Sequence, residues 1–383
     1  MLRWIKQPDP SLDTAERGIP FFYPPFAFLR HMRYNKPTVE LEGDTMQEPM
    51  LQNRKPVIRS YWLVGACIAV GFIASICIGN YPISIREIIS ILTGGEVSAL
   101  TRKVFFTLRL PRTCMGVMAG AGLGVAGSVY QMIFRNPLAS PDIIGVSSGA
   151  NLGAAIAIVS VGIGVGGIAL GAFAGGLLAV AFVMLLVQAT RANTTATYVL
   201  AGIVISAVAK SVIMLLKYYA DSESNLAAIE YWTMGSFAGV TASKVLSILP
   251  FWLIGFVGLF LLHRQVGLLS LNEEECRTLG VRLYRVRLTV LTLSTLLVAS
   301  IVSITGLISF IGLIAPHIAR MMIKRENTDT MVLSAMVGAA VMLVADIFAR
   351  SLYAGGLPIS ILTTIIGVPV LVYFMCKRKE GKV

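Results

Sequence analysis

From about residue 60 onward the chain is a series of long apolar runs separated by short polar breaks. We read about ten runs, at 61–78, 113–134, 143–161, 166–187, 197–217, 245–262, 288–304, 306–323, 331–349 and 357–376. Each approaches the ~20 apolar residues that an α-helix needs to cross a ~30 Å hydrocarbon core. One such run is compatible with a buried helix of a soluble protein. Ten in series predict an all-α polytopic membrane protein of about ten transmembrane helices.

Small residues are placed periodically within two of these runs. Gly116, Gly120 and Gly124, followed by Ser128, fall four apart and share one helix face, which lets another backbone approach closely. A charged, doubly prolyl break follows, with Asn136, Pro137 and Pro141, which a helix interior disfavours. Gly145, Gly149 and Gly153 then form a second ladder. The pattern predicts two tightly packed helices joined by a rigid turn. GAGLGVAG at 120–127 has the look of a dinucleotide loop, but it lies inside an uncharged run and follows no strand, so helix packing explains it better.

Composition supports a membrane protein independently: 56% of residues are hydrophobic, 14% are charged, and mean hydropathy is +0.76. Residues 1–58 differ in kind, being rich in proline and mixed charge with no sustained period. They are read as a flexible cytoplasmic extension, or as an over-extended start, ahead of a transmembrane domain at 59–383. Five cysteines show no CxxC spacing, and three scattered histidines suggest no ligand cluster. No GxxxxGK[ST], GxSxG or HExxH motif occurs, so neither ATP nor a catalytic metal has an obvious cradle. The chain is expected to be no enzyme and to hold no cofactor of its own.

The loop at 264–287 carries the one extramembrane pattern with helical punctuation. Ser270 and Glu273 have capping-box spacing, as do Asn272 and Glu275. Glu273, Glu274 and Glu275 suit a helix N-terminus, Arg277 sits nearer the C-terminus, and Gly280 can close the helix in a left-handed conformation.

Three blocks, RLPR with NPLASPDIIGVSSGA, then LSLNEEECRTLGV, then GLISFIGLIAPHIAR, occur in order. Together they resemble the FecCD-type permease subunits of bacterial ATP-binding-cassette importers for iron-siderophores and cobalamin, over roughly residues 60–376. The resemblance implies a type II importer permease in the bacterial cytoplasmic membrane. It would work with two cytoplasmic ATPases that bind the ATP, an external substrate-binding protein, and a second permease copy or paralogue. It also implies that the 264–287 helix is the coupling element docking into the ATPase. Arg109, Arg112 and Arg350 would meet glutamates of the binding protein at the outer surface. The substrate would be a ferric-siderophore-type chelate, with haem or cobalamin as alternatives.

Charge placement orients the chain with both termini cytoplasmic, because Arg264, Arg277, Arg282, Arg285, Arg287 and the basic tail then fall inside. Arg86, Arg102, Lys103 and Arg109 in the loop at 79–112 run against that trend. The net charge of +12 follows from this asymmetry and does not suggest nucleic acid. Within runs, Lys210 is placed either on the translocation path or against a polar group between helices. Asp346 and Arg350 are spaced as an i,i+4 pair. A secondary transporter is the rival reading, and it lacks an in-span cluster of ion-binding acids.

Overall fold

A computed structural model describes residues 55–379, apart from 161–164, 191–193, 221–224, 271–272, 279–281, 325–327 and 354–355. The described residues form fifteen α-helices. Those matching the ten predicted runs are α1 (Lys55–Cys77), α4 (Leu110–Phe134), α5 (Val146–Ser160), α6 (Val165–Thr190), α7 (Thr195–Tyr219), α9 (Ala242–Leu261), α12 (Leu283–Thr305), α13 (Ile311–Ile323), α14 (Thr328–Ser351) and α15 (Ile359–Lys379). Seven stretches are long and apolar enough to cross a membrane, while α5, α13 and the apolar part of α15 are shorter. Helix α1 begins at Lys55, so the last residues of the expected 1–58 extension are helical. Pro56 suits its first turn, where a missing N–H costs nothing.

Short helices between the spans escaped the periodicity. They are α2 (Ile85–Thr93), α3 (Ala99–Val104), α8 (Asn225–Met234) and α10 (His263–Leu268), whereas α11 (Glu273–Thr278) is the short helix read from the capping pattern of the 264–287 loop. Helix α3 runs through a wider turn at Phe105–Arg109 into α4. Ser84 caps α2 with a full capping box, and its backbone N–H and hydroxyl, donated to Glu87, hold that carboxyl below its usual range.

Helix α4 lies at the centre, buried along most of its length. It packs against α14, α13 and α12. Gly120 abuts the carbonyl of Gly338, and Gly338 in turn abuts that of Gly120, so a Cβ at either would collide with backbone. Gly124 lies against the Ser334 carbonyl and Gly127 against Gly312 of α13. Gly116 differs: a Cβ there would meet Leu343 and Phe237 at an ordinary 3.8 Å, so it is no close-approach residue.

The two glycine ladders do not face each other as expected. Helix α5 packs on α6, with Gly149 and Gly153 against Gly175 and Gly171. Small residues mark close approach without naming the partner helix. Gly145 belongs to neither face, because it ends the 3-10 turn Pro141–Ile144 at φ +82°. The turn between α4 and α5 begins at Arg135, also left-handed at φ +46°. The Asn136 side chain then accepts from Leu138 N–H at 2.9 Å, Pro137 is exposed and Pro141 is buried.

The run at 306–323 is helical only from Ile311. Gly306 takes φ +68°, with Trp232 backbone where a Cβ would be, and Phe310 enters α13 at φ +68°. Non-helical backbone here finds internal partners, as an apolar surround demands. Ser236 N–H donates to the Thr305 carbonyl, Ile359 N–H to the Gly235 carbonyl, and the Ser360 hydroxyl to Leu307.

Candidate functional site

Two polar assemblies occupy opposite ends of α4. At its N-terminal end, Asp346 of α14 is 1% exposed and receives Arg112 through both Nε and Nη2 at 2.8 Å. Arg350, one turn along α14, lies 3.4 Å from the other carboxylate oxygen and donates to Ser75 of α1. Ser75 is hydrogen-bonded to Thr113 of α4 at 2.8 Å. The network therefore joins α1, α4 and α14. Arg109 donates from its two terminal nitrogens to the carbonyls of Ile78 and Tyr81, closing the C-terminal end of α1. Gly79, at φ +148°, leaves the space its guanidinium fills.

The expectation that Arg109, Arg112 and Arg350 all stand open at the surface needs correction. Arg109 and Arg350 are buried, and only Arg112, at 17% side-chain exposure, reaches solvent appreciably. Burial has a cause, since each guanidinium takes partners from its own chain. The expected Asp346–Arg350 pair is present, but the Arg112–Asp346 pair, 234 residues apart, was missed. A lone acid in an apolar run, with arginines at the same predicted end, was the available signal.

At the other end of α4, the 264–287 loop folds as α10 and α11. Ser270 does not cap α11, which begins at Glu273. Its hydroxyl donates to the Gly267 carbonyl and so closes α10. Gly280 lies outside the described residues, as does Asn272; of Glu273, Glu274 and Arg277 only the helical backbone is described. Cys276 is fully buried and its thiol lies 3.1 Å from the Leu268 carbonyl, tying α11 to the end of α10. Beside this loop, His263 and Arg264 share a cavity with Met132 at the end of α4 and with Thr328 and Met331 of α14. Gln131, one residue away, donates to the Leu313 carbonyl and accepts from Arg320.

Lys210 lies on the exposed side of α7, in a stripe with Ile203, Ala207 and Met214 that faces away from the rest of the chain. The Pro141–Ile144 turn packs on α7, where Gly202 meets the Ile143 carbonyl, and exposed Asp142 sits within electrostatic reach of Lys210. No group of His, Cys, Asp and Glu that could hold a metal occurs among the described residues.

The model of the FecCD transport family matches residues 67–377, nearly the whole described bundle. The chain belongs to the FecCD transport family. This FecCD permease is 37% identical over 319 residues to the molybdate import system permease MolB of Haemophilus influenzae, covering 82% of this chain and 94% of that one. To the Fe(3+) dicitrate transport system permease FecC of Escherichia coli it is 32% identical over 329 residues, covering 85% and 98%. A solved metal-chelate type ABC transporter in an inward-facing conformation superposes with a TM-score of 0.76 at 34% identity, covering 84% of the permease and 99% of that chain. The permease is thus a multi-pass membrane subunit of an ABC importer.

Proposed function

We propose that the permease carries an anionic metal complex, an iron chelate of the siderophore type, between two permease subunits, driven by ATPases docked at α10 and α11. The observation that carries this reading is Lys210. A lysine within a span costs about 2.5–3.5 kcal/mol on insertion scales if it faces lipid, so its exposed stripe needs a polar path or another chain beside it. Asp142, which accepts from Ser147, sits within electrostatic reach of this lysine. A positive charge on the path favours an anion without holding it tightly.

The names of the relatives support this class, since one is named for ferric dicitrate and another for molybdate. The greater identity to the molybdate permease favours a second reading, in which the cargo is a metal oxyanion. In both readings the α10–α11 end faces the cytoplasm, both termini lie on that side, and the end holding Arg112 receives the substrate-binding protein.

Uptake in reconstituted vesicles tests the path. Lys210→Gln should reduce transport of an anionic ferric chelate or of molybdate by about tenfold, the effect of roughly 1.4 kcal/mol, while Lys210→Arg retains most of it. Equal uptake by wild type and Lys210→Gln would exclude Lys210 from the path.

A further inference from the structure

Helix α2 sorts its residues into three stripes, apart from Glu87, which the N-terminal cap engages. Ile88 and Ile91 face inward, where they join Phe72 and Ile76 of α1 and Phe105 in one apolar cluster. Arg86, Ser90 and Thr93 form a polar stripe. Ile85, Ile89 and Leu92 share a third face by their helical spacing, and each is more than half exposed. A helix that merely closes a watery end of the bundle needs the first two stripes and not the third. Both ends of α2 are also closed from within. Ser84 supplies the capping box, and the N–H groups of Gly94 (φ +79°) and Gly95 donate to the Ser90 carbonyl. The helix therefore depends little on water for its terminal groups, as a lipid boundary requires.

We infer that α2 lies in the membrane interface, with Ile85, Ile89 and Leu92 among the phospholipid acyl chains and Arg86 at headgroup level. Its depth follows from its partners. Phe72 and Ile76 belong to the last two turns of α1, so α2 is held within about 8 Å of the end of that span. Helix α1 packs mainly on α14, and Val70 and Ile73, next to Phe72, are exposed. On a spanning helix such side chains meet acyl chains, so α2 sits beside a lipid-facing surface where chains give way to headgroups. The open stripe of α2 also offers no hydrogen-bonding side chain, whereas a protein interface ordinarily mixes polar with apolar contacts. Arg86 flanks this stripe as cations flank the apolar face of interfacial helices, which gives one of the loop's against-trend charges a place. The anchor fixes the junction of α1 with α4, which Arg109 clips, at the bilayer surface.

Photolabelling of the full chain tests the placement. The permease is held in phosphatidylglycerol nanodiscs doped with a phospholipid carrying a diazirine near the carbonyl end of one acyl chain, and labelled residues are mapped by mass spectrometry. Ile85, Ile89 and Leu92 should take up label about as strongly as Ile73 of α1. Ile89→Gln combined with Leu92→Gln should lower labelling of Ile85 about fivefold by weakening insertion, while leaving the thermal transition in detergent unchanged. Thr93→Gln, on the polar stripe, should leave labelling as it is. Label on Ile73 with none on the α2 stripe overturns the inference, whether hydroxyl radicals then oxidise the stripe from water or a second protein shields it. Undiminished labelling of Ile85 in the folded double variant overturns it as well.

Discussion

A carboxylate that is 1% exposed between two arginines cannot be neutralised without leaving those charges buried alone. Removing one partner of a buried ion pair costs about 3–5 kcal/mol. Asp346→Asn should therefore lower the thermal stability of the detergent-solubilised permease markedly, whereas Lys103→Glu, at an exposed position of α3, should shift it little. Equal transitions in a fluorescence-monitored melt would show that the network does not hold α1, α4 and α14 together. The sequence spacing revealed the Asp346–Arg350 pair, because four residues on a helix is a local relation. Arg112 reaches the same carboxylate from another helix, and no periodicity encodes that. Burial of Arg109 was equally illegible, since it depends on the carbonyls that α1 leaves open at its end and on the missing side chain of Gly79.

All ten apolar runs appear as helices, since hydrophobicity over some twenty residues is a strong signal. What was lost lies at their edges: Gly306–Phe310, and residues 143–144 at the end of the Pro141–Ile144 turn, were read as span yet are not α-helical. The glycine ladders were visible as faces, but their partners, α14 for α4 and α6 for α5, depend on the tertiary arrangement. This distinction gives a sharp test within one helix. Gly120→Ala pushes a methyl into the Gly338 carbonyl and should cost about 1–3 kcal/mol as overpacking does, while Gly116→Ala has room and should be nearly neutral. Thermal unfolding of the two variants side by side decides it, and similar losses would contradict the packing described for α4 and α14.

At the scale of the whole molecule, the arginine network and the α10–α11 loop occupy the two ends of a bundle whose core is α4. Permeases of the FecCD family work within ABC importers, alongside a partner ATPase, and the proposed function docks that ATPase at the α10–α11 end. Helices α10 and α11 suit that role because Cys276 ties them into one short unit beside the ends of α4 and α14. Family membership places the chain among ABC importer permeases, and the rival ion-driven mechanism makes an opposite demand on energy. The most direct measurement is accumulation of a labelled ferric chelate or molybdate in proteoliposomes holding the permease with its ATPase and binding protein. Uptake is expected only with ATP and an intact ATPase, and it should persist when a protonophore and ionophores abolish ion gradients. Uptake by the permease alone under an imposed ion gradient, unaffected by inactivating the ATPase, would contradict the account.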